Sequence, residues 1–107
     1  GKITLIDARS SDEFDGTILR AARGGHIPTA INIDWNYNID DSGKLKSDEN
    51  LEALYKLDKD SQVVTYCQGA YRAANSFLAL KSIGFKNVKV YLGSWGEWGN
   101  KLELPVE

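Results

Sequence analysis

The run Gln62-Val63-Val64-Thr65-Tyr66 constrains this chain more than any other, because it is β-branched and aromatic and leads straight into Cys67-Gln68-Gly69-Ala70-Tyr71-Arg72. Ala73, Ala74, Phe77, Leu78 and Leu80 then recur at helical spacing through Ile83, and Gly84 is placed to close that helix in the left-handed region. A second strand pattern, Asn87-Val88-Lys89-Val90-Tyr91, follows. A strand, a loop, a helix and another strand in this order favour parallel pairing with the helix as crossover.

The rest of the chain repeats the alternation. Ile3-Thr4-Leu5-Ile6 predicts a strand buried on both faces and ending at Asp7. Ser11 then heads a short helix with early acids, Asp12 and Glu13, and Gly16 ends it. Thr17 to His26 reads as a loop with a bend at Gly24-Gly25, and Ala30 to Ile33 as a second strand. Trp35 to Gly43 reads as irregular chain and a turn. Ser47 opens an amphipathic helix with Leu51, Leu54, Tyr55 and Leu57 on one face. The expected fold is α/β, a parallel sheet of roughly five strands with helices on both faces.

At 107 residues, 42% hydrophobic and 26% charged, the chain fits one globular domain spanning residues 1–107, with a core that needs no metal or disulfide staple. Thirteen basic against fifteen acidic residues give a net charge of −2, which offers no field for nucleic acid or an anionic membrane. No apolar run approaches the ~20 residues of a membrane span, and the start is not a signal peptide. The absence of methionine leads us to expect a domain excised from a longer chain. A single cysteine leaves the compartment open, with the cytoplasm favoured.

Cys67 carries the chemical information. A lone cysteine is commonly a small buried hydrophobe. Here it ends a strand and precedes a Gly-containing turn and a helix, where parallel-sheet proteins bind ligands. Amides of the turn and the helix start favour thiolate over thiol, and Arg72 in the first helical turn adds charge or holds an anionic substrate.

Four separated groups of residues extend this reading: Asp7-Ala8-Arg9 with Glu13, Gly25-His26-Ile27-Pro28 with Ala30-Ile31-Asn32, Tyr66-Cys67 with Arg72-Ala73, and Gly93-Ser94-Trp95 with Glu97-Trp98. Together they resemble the rhodanese domain, in its order, over nearly the whole chain. The closing Leu104-Pro105-Val106-Glu107 is similar to the end of the catalytic second domain of two-domain thiosulfate and mercaptopyruvate sulfurtransferases. Thr29 stands where the family usually has glycine, and Leu92 where an acid is frequent. The loop Gln68 to Tyr71 also differs from the loops of the mammalian-type enzymes, which leaves the donor open.

The resemblance implies a rhodanese-like fold and a sulfurtransferase in which Cys67 carries sulfane sulfur from thiosulfate, or a similar donor, to cyanide or a thiol. Substrate contacts would come from Gln68, Gly69, Ala70, Tyr71 and Arg72. Arg9 matches a position able to reach the donor's anionic group, or it bonds loop carbonyls as scaffold. Asp7 and Glu13 are expected to pair near Arg9, His26 to be structural, and Trp95 and Trp98 to pin the chain's end to the sheet. Expected partners are the small-molecule donor, a thiophilic acceptor and a preceding rhodanese domain. No cofactor or metal is expected. Related phosphatases and arsenate reductases place five residues between Cys and Arg. Here there are four, which favours sulfur over phosphate. A non-catalytic interaction module is the other alternative.

Overall fold

A computed structural model describes residues 3–107. Strands β1 (Ile3–Asp7), β2 (Ile31–Asn32), β3 (Gln62–Tyr66) and β4 (Asn87–Val90) form one parallel sheet in the order β2-β1-β3-β4. The helices are α1 (Ser11–Asp15), α2 (Asp48–Leu54), α3 (Tyr71–Ser82) and α4 (Ser94–Trp98). Among the described residues the sheet has four strands, not the five or so expected. Trp35–Asn38 forms a 3₁₀ turn, and Ile39 meets Leu45 only in an isolated antiparallel bridge. No remaining segment has the unbroken β-branched run that sustains a ladder. β2 is shorter than its pattern predicts, because the Asn32 side chain turns back to donate to the Asp7 and Arg9 carbonyls.

Side chains alternate across the strands and build two large cores, with a smaller cluster around Cys67. Ile6, Val63 and Val88 meet Leu51 and Tyr55 from the α2 segment and Ala79, Leu80 and Ile83 from the α3 segment. Leu5 and Tyr66 point to the other face, where Ile27, Phe14 of α1 and Trp95 and Trp98 of α4 cover them. Leu57 lies beyond the end of α2 yet still packs on the first core.

The ends of the helices follow local chemistry. α1 is capped by Ser10, one residue earlier than expected, because Ser10 and Glu13 have the spacing of a reciprocal capping box. Ser47 caps α2 as expected, and Gly84 takes a φ of +99° beyond α3. Arg23 gathers the carbonyls of Trp98, Lys101 and Leu104, and the Trp98 indole donates to the Pro105 carbonyl, so the C-terminal segment is tied to the second core's face.

Candidate active site

Because all four strands are parallel, their carboxyl ends share one rim, and Cys67 sits on it directly after β3. Its backbone is gripped on both sides. The Cys67 N–H donates to Ser94 Oγ at 3.1 Å, the Trp95 N–H donates to the Cys67 carbonyl at 2.8 Å, and the Gly96 N–H to the Gln68 carbonyl at 2.9 Å. A Cβ on Gly96 would lie 3.0 Å from that Gln68 carbonyl, so glycine permits the approach. Ser94 adopts a φ of +51° to serve this contact. Ser94 belongs to the Gly93-Ser94-Trp95 group that carries the resemblance but is not among the expected site residues.

The Cys67 side chain is 1% exposed and packs against Ala8 and Ala73, with Trp35 and Val90 beside them. It therefore faces the first turn of α3. No amide of the turn makes a hydrogen bond to the Cys67 sulfur among the described residues. Among the described residues, the backbone N–H groups of residues 68 to 73 donate to no acceptor of the chain, the sulfur included. They form an unfilled set of donors at the start of a 12-residue helix. Ala70 enters that helix at a φ of +78°, a conformation L-residues rarely adopt, so strain is held inside the loop itself.

Beside the loop, Arg72 meets Glu13 of α1 through two bonds, Nη1 to Oε1 at 2.7 Å and Nη2 to Oε2 at 2.9 Å. Arg20 Nε reaches the same Oε2 at 3.2 Å, and Ser10 Oγ donates to Oε1. The Arg72 bonds, helped by Ser10 and opposed by burial, hold the Glu13 carboxyl at about 2, far below its ordinary 4.5. Glu13 in turn pushes Arg72 up, and a negative Cys67 acts in the same direction. Two guanidiniums share one carboxylate, leaving the cluster net positive.

The expected pairing of both early carboxylates near Arg9 is thus half met. Asp7 accepts from Arg9 Nε and Nη2, and Glu13 serves Arg72 and Arg20. Arg9 is buried, its Nη2 also donates to the Gly25 carbonyl, and its guanidinium lies 4.8 Å from the centre of the Trp95 ring. The bond to the Gly25 carbonyl is the contact that the scaffold alternative for Arg9 calls for. His26 stacks on Phe14 at 3.6 Å, and its Nδ1 bonds the Phe14 carbonyl.

The other loop residues divide by exposure. Gln68 turns its side-chain amide to the Arg20 carbonyl at 3.1 Å, leaving its buried Oε1 without a partner among the described residues. Gly69 is exposed, with open space where a Cβ would point. Tyr71, 91% exposed, stands outward from the loop. Arg20 is a contact that the sequence reading passed over as loop.

The chain combines an all-parallel sheet with a cysteine at a strand's carboxyl end, a short turn and a helix start. Residues 1–101 match the rhodanese-like domain family, and the chain belongs to it. It is 39% identical to a thiosulfate sulfurtransferase of Azotobacter vinelandii, covering 98% of this chain and 40% of the relative. A thiosulfate sulfurtransferase of Corynebacterium glutamicum is 40% identical, with 100% and 39% covered. A sulfur carrier protein, TtuD, of Thermus thermophilus is 41% identical, with 99% and 41% covered. The chain thus spans about two-fifths of the length of these curated relatives. Among solved structures, an anaerobic ergothioneine biosynthesis enzyme from Chlorobium limicola shares the fold with a TM-score of 0.89 at 24% identity, over 98% of this chain and 28% of that one.

No helix among the described residues is long and apolar enough to cross a membrane.

Proposed function

We propose that this domain is a sulfurtransferase that moves a sulfane sulfur from thiosulfate to cyanide or a thiol through a persulfide on Cys67. The observation that carries the reading is the unfilled set of N–H groups from residue 68 to residue 73, directly after a cysteine at the end of β3. Donors fixed in advance stabilise an anion without reorganising when it arrives. In the first half-reaction the Cys67 thiolate attacks the outer sulfur of thiosulfate. A new S–S bond forms, the old one breaks, and sulfite leaves with its electron pair. In the second, cyanide attacks the outer sulfur, thiocyanate departs, and the electron pair returns to Cys67. No redox partner or cofactor enters this balance. Two displacements through one covalent intermediate give ping-pong kinetics.

In this reading Gln68, Gly69, Ala70 and Tyr71 surround the cargo, Arg72 adds positive charge, and Arg9 supports the scaffold. The curated relatives named thiosulfate sulfurtransferase support the donor assignment, and their greater length supports a companion rhodanese domain in the whole protein.

The near-complete burial of Cys67 favours the second reading, a non-catalytic interaction module. Intact mass after thiosulfate treatment separates the two. A gain of one sulfur atom, removed by cyanide and absent in Cys67→Ala, supports the enzyme. Folded wild-type protein that neither gains mass nor makes thiocyanate overturns it.

A further inference from the structure

We propose that Arg20 is the residue that captures the anionic group of the sulfur donor, which makes the site selective for sulfane donors bearing an oxyanion. The inference rests on the sulfurtransferase reading above and adds a substrate-positioning residue to it. Arg9, Arg20 and Arg72 differ in what they have left to give. Arg9 is buried against Asp7 and the Gly25 carbonyl. Arg72 turns both terminal nitrogens to Glu13. Arg20 spends only Nε on Glu13, is 54% exposed, and keeps both terminal nitrogens without an acceptor among the described residues.

Arg20 is also held in place. Glu13, itself only 2% exposed, anchors the guanidinium, and the Gln68 side chain fixes the Arg20 backbone carbonyl at 3.1 Å. Gln68 follows Cys67 directly, so one residue joins the backbone of the 17–30 loop to the nucleophile's own turn. A guanidinium pre-positioned in this way loses little freedom when it binds a sulfonate in a forked geometry. The second cation on Glu13 keeps the cluster net positive, so an incoming dianion meets attraction and not a neutralised pair.

The test compares wild type, Arg20→Met and Arg20→Lys in thiosulfate-to-cyanide transfer, with kcat and the KM for thiosulfate measured separately. Arg20→Met is expected to raise that KM about five- to tenfold with kcat within about twofold, and added salt to narrow the gap. Arg20→Lys, which keeps the charge but not the fork, should recover only part of the affinity. Discharge of preloaded persulfide to cyanide should fall less than the affinity for thiosulfate, since the donor has already left and cyanide carries one charge and no oxyanion. An unchanged KM in Arg20→Met beside active wild type overturns the role of Arg20 alone, as does a loss confined to kcat. Wild type that transfers nothing from thiosulfate overturns the sulfurtransferase reading instead.

Discussion

Arg72 and Glu13, 59 residues apart in sequence, face each other through two parallel bonds of 2.7 and 2.9 Å and lock the start of α3 to α1. The pair joins the loop after Cys67 to the first crossover of the fold. It also makes the site sensitive to acid.

Glu13 is held at about 2 in the folded chain against an ordinary 4.5, so its contribution is fully present above pH 4.5 and is lost as pH falls toward 2. A shift of that size corresponds to at most about 3 kcal/mol. Urea unfolding of wild type and Glu13→Gln should therefore differ most near neutral pH and converge toward pH 2. A gap of equal size at every pH would mean that the ionised carboxylate is not what stabilises the pair.

Replacing Arg9 by leucine leaves the Gly25 carbonyl without its donor and the buried Asp7 carboxylate with only the backbone N–H of residue 9, its charge unpaired. Breaking a buried pair from one side costs about 3–5 kcal/mol. The double variant Arg9→Leu with Asp7→Leu should regain part of that loss, because no lone charge remains. A stability loss below about 1 kcal/mol in Arg9→Leu would contradict the scaffold assignment.

Ser94→Ala removes the acceptor of the Cys67 N–H and the donor to the Tyr91 carbonyl in a fully buried position. The expected stability loss is about 1–3 kcal/mol. Sulfur transfer should fall as well, through kcat, since the strand end that aims Cys67 loses a fixed point. Normal kcat in a destabilised Ser94→Ala would limit Ser94 to a role in folding.

Thr29 occupies a φ of +73°, where a β-branched residue is strained. Thr29→Gly should relieve about 1–2 kcal/mol of strain and lose about 0.5–1 kcal/mol to chain entropy. The net expectation is a slightly higher thermal midpoint. A lower midpoint would indicate that the Thr29 side chain makes a stabilising contact outweighing its backbone strain.

Much of this was legible from local pattern. The runs Ile3 to Ile6, Gln62 to Tyr66 and Asn87 to Val90 form strands where alternation and branching predict them, and α3 follows from the spacing of Ala73, Phe77 and Leu80. The Ser47 cap, the Gly84 stop and the position of Cys67 after β3 are equally local. Each depends on residues within a few positions of one another, where backbone sterics and side-chain spacing act directly. The Ser10 cap was missed by one residue because adjacent serines compete for the same role.

Tertiary structure decided the rest. The sequence carries no sign that Glu13 would serve Arg72 and Arg20 while Asp7 takes Arg9, or that Ser94, 27 residues on, would hold the Cys67 amide. These contacts exist because the order β2-β1-β3-β4 brings separate crossovers to one rim. Burial then leaves each charge or amide with whichever partner is in reach. Periodicity records which face a residue prefers, but a pairing across the fold has no local period. It is set when the strands take their places.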